Sequence, residues 1–98
     1  MNRDQAIAVL QQNRAALEAR GVRHAALFGS AARGEAGPKS DLDILIELKP
    51  DAEMDAYAYA GLKRYIAGLF SGPVDVVNRE ALKPHLKHPV ADDAVYAF

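Results

Sequence analysis

A chain of 98 residues, half of them hydrophobic, makes one small domain with a thin stability margin and is too apolar for a disordered segment. Its formal charge of -1 argues against a broad nucleic-acid footprint, so no direct nucleic-acid binding is expected, but a small nucleotide site is not excluded. Cysteine is absent, which excludes disulfides and thiolate metal sites and fits a reducing compartment. The N-terminus has no apolar secretory core and no apolar run is long enough for a membrane span, so the expected location is cytoplasmic.

Residues 4–19 place Ile7, Leu10, Ala15 and Leu17 among Gln, Arg and Glu at roughly amphipathic spacing, which predicts a helix with Asp4 near its start and Gly21 just past its end. Residues 22–28 are short, apolar and end at a glycine, as a strand does. Residues 30–35 are rich in alanine and predict a short helix. Gly37 and Pro38 mark 36–40 as a loop. Residues 42–48 carry the clearest strand pattern, with Leu42, Ile44, Leu45 and Ile46 interrupted by Asp43. A second long helix is expected over 52–70, where Tyr57 and Tyr65 share its core face and Tyr59 is more exposed. Ser71, Gly72 and Pro73 break it, and 74–77 reads as a short strand carrying Asp75. Beyond Arg79 the helical signals are weak, and 94–98 suits a closing helix or strand. The order is α-β-α-β-α-β plus a tail, a minimal sheet covered by helices.

Two elements carry chemistry. Side chains alternate along a strand, so Asp41 and Asp43 project to one side. Two neighbouring carboxylates repel, and a divalent cation removes that repulsion while using their lone pairs; Mg²⁺ suits such oxygens and shares its shell with phosphates. Asp75 is the best third acid, since it also interrupts an apolar strand. The plainer reading is that Asp41 ends a loop and Asp43 faces solvent. The second element is the turn. Gly29 follows a strand and Ser30 opens a helix, where free backbone N–H groups attract phosphate. Glycine allows close approach, the Ser30 hydroxyl can donate, and Arg33 lies one turn on. The plainer reading makes Ser30 an N-cap and Arg33 a surface residue. His24 reads as structural, and His24, His85 and His88 form no metal set. Tyr59 or Phe98, if exposed, would suit a protein interface.

Leu27 to Gly34 together with Ser40 to Ile46 resembles the signature of the DNA polymerase beta-type nucleotidyltransferases, most of all their smallest branch, the minimal nucleotidyltransferase (MNT) domains. That signature is an apolar strand, Gly-Ser, Arg-Gly, then Ser-Asp-x-Asp in a second strand, with a third carboxylate downstream at the position of Asp75. The resemblance implies a palm built on a small three- to four-stranded mixed sheet flanked by helices, filling the single domain 1–98. By the same resemblance, Gly29 and Ser30 hold the triphosphate of ATP and Arg33 assists with its charge. Asp41 and Asp43 bind two Mg²⁺ ions, and Asp75 binds the catalytic metal and activates the attacking hydroxyl. The chain lacks the acceptor-holding domain of larger relatives, so a partner must present the hydroxyl. MNT proteins are commonly antitoxins of all-helical HEPN ribonuclease toxins and transfer AMP from ATP to a toxin tyrosine. The expected function is therefore a protein adenylyltransferase in a homo- or hetero-oligomer. Its rival is a catalytically silent antitoxin that neutralises its toxin by contact.

Overall fold

A computed structural model describes residues 2–32, 42–85 and 94–98. The expected N-terminal helix is two helices, α1 (Arg3–Gln12) and α2 (Arg14–Ala19). Asn2 caps α1 through a reciprocal pair: its side chain accepts from the Gln5 N–H at 2.8 Å, and the Gln5 side chain accepts from the Asn2 N–H at 3.1 Å. The break comes at Asn13. Its side-chain amide donates to the Val9 carbonyl at 2.8 Å, and its N–H is shared between the Val9 and Leu10 carbonyls at 3.2 Å. A side chain that bonds its own preceding turn competes with continuation of the helix. Gly21, at φ +98°, then turns the chain into β1 (Val22–Leu27).

After β1 come α3 (Gly29–Ala32) and β2 (Leu42–Leu48), the strand that the apolar pattern delimits. The second long helix, α4 (Ala56–Ala67), is shorter than expected at both ends. Asp55 sets its start by accepting from the Ala58 N–H at 2.7 Å. β3 (Val74–Asn78) follows, then a single 3-10 turn (Arg79–Ala81) that Asn78 caps. The tail closes as β4 (Val95–Tyr96), a strand rather than a helix.

The sheet has four strands in the order β3-β2-β1-β4. β1 is antiparallel to β2 and to β4, while β2 and β3 are parallel. Parallel neighbours need a crossover, and α4 supplies it. The sheet is therefore mixed and flanked by helices, as the sequence implied.

All four helices cover one face. Ala25, Leu27, Ile44, Ile46, Val76 and Ala97 point from the strands into one cluster with Ala6, Leu10, Leu17, Ala32, Leu62 and Ile66. Alternation sends Asp43, Leu45 and Glu47 of β2 to the other face, with Asp75 of β3, His24 and Ala26 of β1 and Tyr96 of β4. The tyrosine assignment is corrected here. Tyr57 is 86% exposed, whereas Tyr59 and Tyr65 are partly buried against the core. Leu62 and Ile66 define the buried stripe, and Tyr59 lies one turn before Leu62 while Tyr57 falls off that line. No described helix is long and apolar enough to cross a membrane.

Candidate functional site

The sheet register brings two of the expected site residues together. Asp43 and Asp75 are direct partners across the parallel β2–β3 pair, on the face away from the helices. Neighbouring strands lie about 4.8 Å apart, so the two carboxyl groups share one small region. Asp43 is half-buried and Asp75 exposed. The start of β2 is tied on both sides: the Phe28 N–H donates to the Asp43 carbonyl at 3.1 Å, and the Leu42 N–H donates to the Pro73 carbonyl at 3.0 Å.

Gly29 meets this region from β1. Its φ is +67°, a conformation that disfavours any side chain, and a Cβ placed there would lie 2.7 Å from Asp43 Oδ2. The turn backbone thus packs directly against the Asp43 carboxylate, which explains why glycine stands there. α3 is anchored from behind. Ala32 is buried in the core, and Arg3 Nη1 donates to the Ala32 carbonyl at 3.3 Å. Ser30 is the second residue of α3, but its side chain, like Asp41 and Arg33 as a whole, lies outside the described residues.

Two hard carboxylate oxygens on adjacent strands, beside a backbone turn that excludes a side chain, fit a hydrated divalent cation such as Mg²⁺. Among the described residues no group of three or more acidic or histidine side chains gathers at one point. Tyr59 flanks the Asp75 side. Burial pushes its phenol above the ordinary range, a backbone hydrogen bond from Asn78 opposes this, and the Asp75 charge adds to the rise. It therefore stays protonated at neutral pH.

Further along the same face lies a set of side chains that pattern reading passed over. Glu47 Oε2 accepts from the Tyr96 hydroxyl at 3.3 Å, and Glu47 Oε1 lies 3.8 Å from Arg79 Nη1. The His24 ring stands edge-on to Tyr96, with centroids 6.0 Å apart and planes at 89°, and His24 Nδ1 is 3.2 Å from the Phe98 carbonyl oxygen. His24 is thus a structural residue, as its strand position suggested. Burial raises the Tyr96 phenol first, and the Glu47 charge and hydrogen bond raise it further against the opposing charge of Arg79. The signal in the sequence was the spacing of Glu47, which shares a strand face with Asp43. Tyr96 carried no such signal, because its strand has two residues.

Comparison with known proteins agrees with this geometry. The family model described as "Nucleotidyltransferase domain" matches residues 10–97. A relative from Methanocaldococcus jannaschii that bears a protein adenylyltransferase name is 37% identical over 76 residues, covering 76% of each chain. Protein adenylyltransferase MntA of Thermococcus cleftensis is 34% identical over 76 residues, covering 78% of this chain and 75% of its own. Among solved structures, a minimal nucleotidyltransferase superposes with a TM-score of 0.81 at 30% identity, covering 97% of this chain and 95% of that one. A Shewanella oneidensis complex of a tri-AMPylated HEPN toxin with MNT antitoxin shares the fold, with a TM-score of 0.63 at 18% identity over 94% of this chain and 71% of that one.

A mixed sheet that sets an acid pair beside a Gly-Ser turn is a nucleotidyltransferase palm. The chain belongs to the nucleotidyltransferase domain family, in its minimal branch, and is an enzyme of that class.

Proposed function

We propose that this chain is a Mg²⁺-dependent adenylyltransferase that serves as an antitoxin by moving AMP from ATP to a tyrosine hydroxyl of a HEPN toxin. The observation that carries the reading is the register of Asp43 with Asp75 beside the backbone of Gly29. Relatives named as protein adenylyltransferases support the reaction class, and the shared fold of an MNT antitoxin bound to an AMPylated HEPN toxin supports the partner.

In this reading Gly29 and Ser30 hold the phosphates and Arg33 offsets their charge. Asp41, Asp43 and Asp75 hold Mg²⁺, which when bound neutralises the phosphates and stabilises the charge that develops on the reacting oxygens. Asp75 sits at the outer strand and takes the proton of the acceptor hydroxyl. The acceptor oxygen bonds to the α-phosphorus as the bridge to the β-phosphate breaks, and pyrophosphate leaves on the opposite side. A tyrosine carrying AMP gains bulk and negative charge, which block an RNA site by size and repulsion.

The test mixes the chain with its cognate toxin, ATP and Mg²⁺ and reads intact mass. The toxin should gain one AMP unit per modified tyrosine. Asp43→Asn should abolish the gain, and omission of Mg²⁺ should do the same. A stable complex with unmodified toxin, neutralised equally well by Asp43→Asn, would establish the silent antitoxin instead.

A further inference from the structure

The outward side of α4 carries features that the fold of its own chain does not explain. Leu62 and Ile66 bury one side of this helix, and Tyr57, Ala60, Gly61 and Arg64 follow one another along the opposite side at i, i+3, i+4 and i+7. We propose that this side joins two copies of the chain as a twofold dimer of antiparallel α4 helices. The axis passes between Ala60 and Gly61, and each Tyr57 ring lies against the Arg64 guanidinium of the second copy. The proposal is independent of the nucleotidyl-transfer reading, because Asp43 and Asp75 lie on the face of the sheet away from the helices.

Gly61 gives the first argument. It stands in the interior of α4, where glycine is a poorer helix former than alanine. No described neighbour requires it. A Cβ placed there would meet only Arg64 Nη2, at 3.9 Å, an ordinary contact with the end of a flexible side chain. The space that a side chain would fill is open, and a second backbone can enter it. Tyr57, one turn earlier, is 86% exposed, the more exposed of the two large hydrophobic side chains that reach solvent among the described residues. A tyrosine beside such a gap suits the anchor of a protein contact.

Charge identifies the occupant. Asp51, Glu53 and Asp55 lead into α4, and Lys63 and Arg64 lie near its end; all are exposed. None of them forms an ion pair with a described residue. A second α4 laid antiparallel sets each acidic end against a basic end and opposes the two helix dipoles, whereas a parallel copy sets like against like. The antiparallel arrangement is also self-complementary, as a twofold contact must be. Ala60 meets Gly61 of the second copy, and the lack of bulk there lets the helices approach closely. Tyr57 and Arg64 each lie about 5 Å from the axis, at about 1.5 Å per residue, so ring and guanidinium come level. The chain already makes this pairing internally, with Arg20 Cζ 4.1 Å from the centre of the Tyr65 ring. Two single helix faces bury less than the roughly 1,200 Å² of a standard interface, so the dimer is weak and forms as concentration rises.

Sedimentation equilibrium of the chain over a wide concentration range tests this. The wild type should pass from monomer to dimer as concentration rises. Arg64→Glu should weaken the dimer about tenfold, as loss of two cation–π contacts does. Gly61→Leu fills the axis and should abolish the dimer, while the dilute monomer melts no lower than the wild type, since leucine is the better helix former. That separates the contact from damage to α4. Tyr57→Arg combined with Arg64→Glu exchanges the partners across the axis and should restore association that each single change weakens. A chain that stays monomeric throughout overturns the proposal, and so does a dimer that Gly61→Leu leaves intact. A double variant no stronger than its single changes overturns the pairing of Tyr57 with Arg64. A monomeric chain that binds its cognate toxin, and loses that binding in Gly61→Leu, gives this side of α4 to the toxin and overturns the second copy as its occupant.

Discussion

The two faces of one sheet follow opposite rules. The face under the helices is apolar at Ala25, Leu27, Ile44, Ile46 and Val76, and no described polar or charged residue is buried anywhere. The other face carries two aspartates, a glutamate, a histidine and a tyrosine on the same strands. Strand alternation lets a chain this small do both at once. The face under the helices supplies most of the buried residues, while the other face alternates its polar positions with the buried Ala26 and Leu45. The larger buried cluster lies under the helices, so that face holds most of this small domain together.

The largest expected effect falls on the covered face. Ile46→Ala removes buried methylene groups at a fully enclosed position and should cost about 2–5 kcal/mol, a large share of the stability of a small domain. Its counterpart on the other face is Asp75→Asn. That exposed residue should change stability by no more than about 0.5 kcal/mol while transfer is lost. Chemical denaturation of both variants beside the AMP-transfer assay measures the contrast. A large loss of stability in Asp75→Asn would show that the two faces are not separable in this way.

Gly29→Ala tests the place where the faces meet. The φ of +67° and the 2.7 Å approach to Asp43 Oδ2 mean that a methyl group must displace either the turn or the carboxylate. Backbone strain of this kind costs about 1–3 kcal/mol. Activity should fall further than stability, because the displaced group is Asp43. Retained activity with lowered stability would mean that the close approach serves folding alone. Asp55→Ala acts one layer away, at the start of α4. Loss of that cap should cost about 1 kcal/mol and leave nucleotide affinity unchanged, since the exposed Asp55 side chain bonds the first turn of its own helix.

How far the sequence could be read follows the same division. β2 is delimited correctly because a continuous apolar run with one misplaced acid admits few other readings. The pairing of Asp43 with Asp75 was legible only as two interruptions of apolar strands. Their register depends on the α4 crossover, which no local pattern encodes. The break at Asn13 was hidden because the apolar spacing runs through it, and a side-chain hydrogen bond decides it. Tyr57 and Tyr65 are eight residues apart, a spacing that suggests one face, but the buried stripe runs through Leu62 and Ile66, which brings Tyr59 to its side and leaves Tyr57 outside. The Tyr96–Glu47 contact joins residues 49 apart in sequence, and a two-residue strand gives no periodicity from which to foresee it.

The smallest predicted effect belongs to Tyr96 and depends on pH. Burial, and then Glu47, raise its phenol above the ordinary value of about 10. The protonated form is the one that the fold favours. Its contribution to stability is therefore complete below about pH 10 and is lost as pH rises through the higher folded-state value. At neutral pH the hydroxyl donates to Glu47, so Tyr96→Phe should be slightly less stable than the wild type. In alkali the wild-type phenolate faces the Glu47 carboxylate, whereas the phenylalanine cannot ionise. The difference in melting temperature between the two should shrink from about pH 9 upward and then reverse. Its size should stay small, because Tyr96 is 42% exposed and solvent screens the repulsion. Melting curves of both chains across this range read the difference directly and cancel the lysines and other groups common to both. A difference that stays constant with pH would mean that Tyr96 titrates alike in the folded and unfolded chains and that the Glu47 contact does not perturb it.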